Sequence, residues 1–383
     1  MPLFIKLQMM MPRSIVPHAS ISRSSARVAR FGQFVRLGWT LIAASVTWLG
    51  AALSSVALCD DSPAAAKTPV DASAIKAAVE KAIPLLEAGA RGSMEKRKQC
   101  FTCHNQGVPL MALTAARARG FKIDEAHFTE QLAFTAAFLA KNRDNYREGK
   151  GQGGQVDTAG YALWTLASGG WKADETTEAV VEYLLRYQLD TDHYHTTAKR
   201  PPTEQSSFTS TYVALRGLQA FGAATQRERI DARLTQLRSW LAKTKPVDHE
   251  ERVFRLRGLV AIGASDDELK PAVDELLQNQ HSEGGWRQLD ELEPDAYATA
   301  TALVALADSG KVKPTDAAYR RGLEWLLAHQ QSDGSWYVKS RSKPFQAYFE
   351  SGYPHGKDQF ISIAAAGWAT LALTHAVEAK PDE

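Results

Sequence analysis

A pair of cysteines followed directly by a histidine is the feature of this sequence with the clearest chemical meaning. Cys100 and Cys103 stand three positions apart, and His104 comes next. At this spacing two thiols can add to the two vinyl groups of one porphyrin, and the adjacent histidine can then ligate the iron. A thiol redox pair or a simple disulfide is the alternative interpretation. We expect one covalent haem c, held by Cys100, Cys103 and His104.

The elements that must position this motif repeat one pattern from Ala74 onward. An amphipathic segment with apolar residues at i, i+3 and i+4 is followed by a polar or glycine-rich loop and by a second segment rich in Ala, Leu and Thr. The second segments, most of which stop near a glycine, are 108–119, 156–167, 209–220, 253–262, 296–307 and 361–374. Six such units predict an all-α array in which amphipathic helices surround buried ones.

The sixth unit resembles the QW repeat of squalene and hopene cyclases. The residues that carry the resemblance are Trp325, Leu326, Gln330, Gly334 and Trp336, then Gln280, Gly284 and Trp286 in the fifth unit, and Tyr183, Leu184 and Gln188 in the third. The resemblance covers about 75–375. It implies the closed double-ring α/α toroid, with six inner and six outer helices, of terpenoid cyclases and protein prenyltransferases. We expect the glutamines to bond helix ends and the tryptophans to seal loops.

The residues that carry out catalysis in those families are not found in this sequence. Cyclases of the hopene type use an acidic D-x-D-D cluster, and the nearest string, 190–193, ends in histidine. Asp157 and Asp295 begin inner helices, where aspartate favours an N-cap or the helix dipole. A zinc site like that of the prenyltransferases needs a cysteine, and no cysteine follows Cys103. Cyclase and prenyltransferase activities are therefore not expected.

Ring closure places the sixth unit beside the first, with all outer-to-inner loops on one rim. The haem is expected at this rim, covered by the insertion at 338–360. We predict His355 as a second iron ligand, with His193 and His195 and then Met111 as the alternatives. His355 and Tyr353 are also predicted as catalytic groups. Arg341 and Lys357 are expected to pair with the haem propionates. Further histidines expected in rim loops are His193, His195, His249 and His281.

The positive charge of the chain is concentrated in a leader. The whole sequence has a formal net charge of +2, but 1–59 holds six basic and no acidic residues. An uncharged apolar run at 37–58 follows the arginines, as in an export signal or a membrane anchor. We expect a signal peptide or anchor at 1–59, a linker at 60–73 and the toroid at 74–378. The body is then periplasmic or otherwise extracytoplasmic.

Two functions from different classes fit these observations. The first is an exported c-type haem protein, an oxidoreductase or electron carrier with a redox partner protein and an apolar chamber for an isoprenoid or other lipid. The alternative is a non-haem terpenoid-binding or cyclase-like protein. The mildly acidic body offers no basic field for nucleic acid.

Overall fold

The computed structural model describes residues 70–344 and 347–378, and this part of the chain is all-helical. The predicted leader at 1–59 and most of the predicted linker at 60–73 lie outside the described residues. Among the helices that are described, none combines the length and apolar character that crossing a bilayer requires.

The α-helices of the described part form six pairs, with one short extra α-helix. The outer helices are α1 (Ala72–Lys96), α3 (Glu125–Ala140), α6 (Glu175–Arg186), α8 (Arg227–Lys243), α10 (Asp266–Gln278) and α12 (Ala317–Ala328). The inner helices are α2 (Val108–Ala118), α5 (Gln155–Ser168), α7 (Ser207–Phe221), α9 (His249–Ala261), α11 (Ala296–Asp308) and α13 (Gln359–Thr374). The predicted inner segments are confirmed. The short helix α4 (Arg143–Arg147) lies between α3 and α5 and was not predicted.

The two helix classes differ in burial as their sequences require. Outer helix α10 buries Leu269, Ala272, Val273 and Leu276, which is one face at spacings of three, four and seven residues. Inner helix α11 buries every residue from Ala296 to Leu306. Its small side chains allow the inner helices α9 and α13 and the outer helices α10 and α12 to pack closely against α11.

Helix α9 begins four residues earlier than predicted. The carboxylate of Asp248 accepts a hydrogen bond from the Glu251 amide at 3.0 Å, which caps the helix at this point. His249 is therefore the first residue of α9 and is buried, with its Nε2 3.2 Å from the Thr301 hydroxyl. The expectation that His249 lies in a rim loop is wrong, because the cap extends the helix to include it.

The ring closes between the last repeat and the first. Helix α13 packs against α2 and α1. The side chain of Gln330, which follows α12, donates to the carbonyl of Ala78 in α1 at 2.9 Å. Gly334 lies so close to α1 that a Cβ at this position would be 2.6 Å from the carbonyl oxygen of Lys81. A closed double ring of inner and outer helices follows, as predicted.

The QW residues hold the outer helices to their loops. The indole N–H groups of Trp286 and Trp336 each donate at 2.8 Å to a carbonyl near the end of the preceding outer helix, those of Leu276 and Leu326. Gln280 repeats the geometry of Gln330, since it bonds Gly284 within its own loop and Ala318 in the next outer helix. The tryptophan bonds supplement weakly bonded carbonyls in the last turns of α10 and α12, and the glutamine bonds join each loop to the next outer helix of the ring. Their predicted architectural role is confirmed.

Tyr194 takes the structural role of these tryptophans in the third repeat, where the motif contains no tryptophan. Its hydroxyl donates to the Leu184 carbonyl at 2.6 Å, ten residues back, as the two tryptophans do. Its amide donates to the Thr211 hydroxyl at 3.1 Å, and the Trp286 amide donates likewise to Thr299 at 3.0 Å. The repeat thus conserves a geometry that its residue types only partly reveal.

Aromatic side chains fill the centre of the inner ring. Trp368 on α13 contacts Trp164 on α5 and Phe254 on α9, with ring centroids 6.0 and 6.4 Å apart. These helices are not ring neighbours, so the contacts cross the ring. The guanidinium of Arg257 lies among the aromatic rings and pairs with Asp308 at 3.1 Å. At this level the expected open chamber is replaced by packed side chains.

Candidate functional site

The Cys-x-x-Cys-His motif borders a cavity of about 410 Å³ at the rim. Cys103 begins a single π-helical turn, Cys103–Gly107, that leads directly into α2. The cavity is lined by Arg97, Cys100, Phe101, Thr102, Cys103, His104, Asn105, Phe138, Asn142, Gln152, Gly153, Gly154, Thr158, Arg200, Glu204, Phe349 and Phe360. All three residues of the predicted attachment site thus lie on one cavity, which we call the first cavity.

A second cavity of about 320 Å³ adjoins the first. Its wall is largely apolar, and the residues that line it are His104, Arg200, Pro201, Thr203, Ser340, Ser342, Lys343, Pro344, Ala347, Tyr348, Lys357, Phe360 and Ile361. His104, Arg200 and Phe360 line both cavities. Both volumes are within the range of about 300–1,000 Å³ that is typical of small-molecule sites.

His104 lies between the two cavities with one buried and unsatisfied nitrogen. Its Nδ1 has no hydrogen-bond partner and is 3.9 Å from a carboxylate oxygen of Glu204. Burial, together with the positive charges of Arg200 and Arg97, lowers the pKa of the imidazole to about 3. The ring is therefore neutral at pH 7, which leaves a lone pair free to bind a metal.

A tight turn holds Glu204 against His104. The backbones of Arg200 and Glu204 exchange two hydrogen bonds, of 3.1 and 3.0 Å, around Pro201 and Pro202. The Arg200 guanidinium forms an ion pair with the Glu204 carboxylate, which is 2% exposed. The turn thus presents one cation and one anion to the cavity from a fixed backbone.

The two cysteines are free thiols in different surroundings. Cys100 is half-buried, and Cys103 is buried. Burial raises the pKa of the Cys103 thiol to about 12. A reactive redox cysteine needs a lowered pKa. The thiol redox alternative is therefore not favoured by this environment.

Two neighbouring amides on the π-helical turn differ in how they are satisfied. Gln106 accepts from the Thr102 amide at 2.9 Å and donates to Gln131 at 2.9 Å. The side chain of Asn105 is fully buried, yet neither its oxygen nor its nitrogen has a partner. A buried polar group left in this way costs about 1–3 kcal/mol. Asn105 lines the first cavity, where a ligand could supply the partner.

The predicted residues of the insertion separate into two groups. Lys357 lines the second cavity. Arg341 instead donates to Gln288 at 2.8 Å, and Gln288 donates to Asp295 at 2.9 Å, so Arg341 supports the start of α11. The structure brings Lys357 to the rim cavities but not Arg341.

His355 and Tyr353 do not line either cavity. The Nε2 of His355 is 2.9 Å from the Ser335 hydroxyl, and its ring lies 5.3 Å from that of Tyr337. Tyr353 is buried, and its Cβ approaches the position that a Cβ on Gly89 would occupy. Their roles as second iron ligand and catalytic group stay predictions that need the insertion to move.

The acids named from sequence have structural partners. Asp295 caps α11 by accepting from the Ala298 amide at 2.9 Å, as predicted. Asp157, in the first turn of α5, accepts from the hydroxyl groups of Ser210 and Thr196. Burial raises the pKa of Asp157, and it raises that of Asp295 to about 6. The string at 190–193 lies in a turn and bend of the loop that follows α6.

Sequence reasoning missed a buried carboxyl, Glu250, and the two residues that turn toward His104. Burial raises the pKa of Glu250 to about 8, and its oxygens accept from Thr209 at 2.9 Å and from Tyr297 at 3.0 Å. Arg200 and Glu204 flank a Pro-Pro pair in a rim loop, and this charged turn was the available signal. The described residues hold no group of three or more His, Cys, Asp or Glu side chains suited to bind a metal ion.

Comparison with known proteins agrees with this architecture in the C-terminal part of the chain. Residues 241–383 match the family described as the squalene-hopene cyclase C-terminal domain. Lanosterol synthase erg7A of Aspergillus fumigatus is 33% identical over 114 residues, which are 29% of this chain and 14% of the relative. Protostadienol synthase A of Arthroderma gypseum is 30% identical over 142 residues, 33% of this chain and 19% of the relative. The matches thus span less than a fifth of these relatives.

Solved structures share the ring at low sequence identity. A variant of the type II terpene cyclase MstE from Scytonema, in complex with its substrate geranylgeranyl dihydroxybenzoate, gives a TM-score of 0.52 at 18% identity and covers 80% of this chain and 98% of that one. A structure described as a wild-type glycosidase gives 0.51 at 11% identity and covers 78% and 98%. Because enzymes of two classes have this fold, the fold alone does not determine which reaction a protein catalyses. The chain has the toroid fold of type II terpene cyclases, and its C-terminal part resembles squalene-hopene cyclase.

Proposed function

We propose that this chain binds an anionic isoprenoid, or an apolar amphiphile of similar shape, in the second cavity. The observation that carries the proposal is the composition of the wall of this cavity. An apolar surface that includes Tyr348, Phe360 and Ile361 meets the two lysines Lys343 and Lys357. Such a pocket suits a hydrocarbon tail that ends in a negatively charged headgroup.

The two lysines are available for that headgroup. Both are exposed at the mouth, and neither forms an ion pair with a described residue. Lysine is a common binder of phosphate groups. A diphosphate or carboxylate headgroup would meet both ammonium groups while the tail lies on the aromatic wall.

Binding is a better fit than cyclisation. Among the described residues that line the two cavities, Glu204 is the single acid, and it is paired with Arg200. A paired carboxylate is a poor proton donor to an alkene, because its charged form is the stabilised one. Glu250 and Asp157 do not line either cavity.

The comparisons support the terpenoid alternative over the oxidoreductase. The matching family is described as a squalene-hopene cyclase domain, and the relatives are a lanosterol synthase and a protostadienol synthase. The Scytonema cyclase binds a geranylgeranyl chain attached to an aromatic acid. By extension, a prenyl tail with an acidic head is the ligand class that we assign to this chain.

Titration calorimetry with geranylgeranyl diphosphate tests the proposal. We expect saturable binding to the full chain, weakened about tenfold in the Lys343→Ala/Lys357→Ala variant, which corresponds to about 1.4 kcal/mol. Neutral geranylgeraniol should bind more weakly and should not distinguish the two proteins.

A matched control removes the same charge from the same rim. Lys245 and Lys339 are exposed in rim loops but line neither cavity. The Lys245→Ala/Lys339→Ala variant should bind geranylgeranyl diphosphate as the wild type does. No binding to the wild type, or equal weakening in both double variants, would count against the proposal.

The second candidate is an extracytoplasmic oxidoreductase or electron carrier that works with a redox partner protein. The placement of Cys100, Cys103 and His104 on the first cavity favours it. It requires export of the body, with membrane association through 37–58 where the leader is retained. Fractionation of cells that produce the full chain tests this requirement, and a wholly cytoplasmic protein would exclude the candidate.

A further inference from the structure

The Cys-x-x-Cys-His motif remains unexplained by isoprenoid binding, since both cysteines line the first cavity and not the second. The wall of the first cavity combines aromatic surface with positive charge. Phe101, Phe138 and Phe349 contribute rings, and Arg97 and Arg200 contribute guanidinium groups. A flat apolar macrocycle with carboxylate substituents has the complementary chemistry.

The orientation of His104 supplies a second and independent observation. Its Nδ1 is buried and lacks a hydrogen-bond partner, and Glu204 presents a carboxylate oxygen 3.9 Å away. Histidines that ligate metals commonly direct one ring nitrogen to the metal and the other to a carboxylate. With Nδ1 directed to Glu204, Nε2 is the nitrogen left for iron.

The partnerless amide of Asn105 is a third observation. The side-chain oxygen and nitrogen of Asn105 are both buried beside the motif, and neither has a partner among the described residues. Native structures rarely leave such groups unsatisfied, and a missing ligand is one of the recognised reasons. His104 and Asn105 are adjacent in sequence, and both line the first cavity.

We propose that the first cavity holds one haem, attached covalently through Cys100 and Cys103 and ligated by His104, with Glu204 as the positioning residue of that histidine. In each attachment a thiol S–H adds across a vinyl C=C bond. The sulfur bonds the vinyl carbon next to the ring, and the hydrogen goes to the terminal carbon. No electron is gained or lost, so the step needs no oxidant. This assignment does not depend on the isoprenoid ligand.

Intact mass and a haem-stained denaturing gel test the attachment. The full chain is produced in a host that attaches c-type haem outside the cytoplasm. We expect the mass of one haem on the wild type and on Cys59→Ser, which replaces the third cysteine of the chain. We expect none on Cys100→Ser/Cys103→Ser, whose helical circular dichroism should be unchanged. A wild-type chain that stays in the cytoplasm or leaves it without haem overturns the proposal, as does an adduct that survives in the double variant.

The single variants refine this test. Cys100→Ser and Cys103→Ser should each keep one thioether, which leaves one vinyl group and shifts the absorption of the reduced pyridine complex from that of the wild type. A spectrum identical to the wild type in either variant would show that the replaced cysteine forms no bond to the porphyrin.

The midpoint potential tests the role of Glu204. A carboxylate beside the proximal histidine stabilises oxidised iron, so Glu204→Gln should keep the adduct and favour reduction about tenfold, about 59 mV for one electron. Glu204→Asp should restore part of the shift. Glu130→Gln, which removes a carboxylate beside His127, should leave the potential unchanged. An unchanged potential in Glu204→Gln would refute the positioning role.

Discussion

The centre of the ring and its rim differ in whether their buried polar groups border a cavity. At the centre, Trp164, Phe254 and Trp368 pack across the ring around Arg257, whose charge pairs with Asp308. At the rim, His104 and Asn105 border cavities and leave buried polar atoms without partners. Arg257 also leaves Nε and one terminal nitrogen without hydrogen-bond partners, but it is packed among aromatic rings and lines neither cavity. Unsatisfied groups that border a cavity have space for a ligand beside them. The difference locates function at the rim.

The largest stability effect should come from the centre. Trp368→Ala removes a fully buried indole that contacts two non-neighbouring helices, and we expect a loss of about 3–5 kcal/mol in the free energy of unfolding. Phe360→Ala at the rim should cost less than half as much, because Phe360 already borders two cavities. Urea denaturation measures both. Equal losses would mean that the rim is packed like the centre.

Glu250 predicts a pH dependence whose sign is opposite to that of an ordinary buried salt bridge. Its pKa is raised to about 8 by burial, so the folded state holds a proton that the unfolded state releases above its own pKa near 4.5. Stability from this group is present below about pH 4.5 and is lost as the pH rises toward 8. The slope is about 1.4 kcal/mol per pH unit at its steepest.

The variant Glu250→Gln should flatten that slope while it keeps a polar partner for Thr209 and Tyr297. Urea denaturation at several pH values between 5 and 8 measures it. Glu251→Gln at the neighbouring, less buried position should retain most of the wild-type dependence. A wild-type protein whose stability rises across this range would contradict the assignment.

The smallest effect should distinguish two adjacent amides on the π-helical turn. Gln106→Ala breaks bonds to Thr102 and Gln131 and should cost about 1–3 kcal/mol. Asn105→Leu removes two unsatisfied atoms and should leave the haem-free protein equally stable or more stable by about 1 kcal/mol. Thermal unfolding of the haem-free variants compares them. A large loss in Asn105→Leu would show that Asn105 has a structural partner.

The ring of helices could be predicted from the sequence because it depends on residue patterns within each helix and loop. Inner helices are rich in small residues along their length, as in α11, and the outer helices are amphipathic, as in α10. The QW residues were recognised by residue type and spacing together, and their bonds agree in two repeats. Tyr194 was missed because a tyrosine replaces the tryptophan that marks the motif elsewhere.

The site was only partly predictable, because its partners come from distant loops. Cys100, Cys103 and His104 are contiguous, so a motif identified them. Glu204 meets His104 across one hundred positions of chain, and only the folded ring brings the two together. His355 was predicted as an iron ligand because of its place in the insertion. Its hydrogen bond with Ser335 instead holds the side chain away from both cavities.

Photo-crosslinking tests most directly the claim that ligands bind at the rim and not at the ring centre. A geranylgeranyl diphosphate that carries a diazirine in its tail is irradiated with the full chain, and the labelled peptides are mapped by mass. We predict labels on Tyr348, Phe360 or Ile361, which excess unlabelled geranylgeranyl diphosphate suppresses. Labels on Trp164 or Trp368 would contradict the account, because the centre of the ring would then open to receive the ligand.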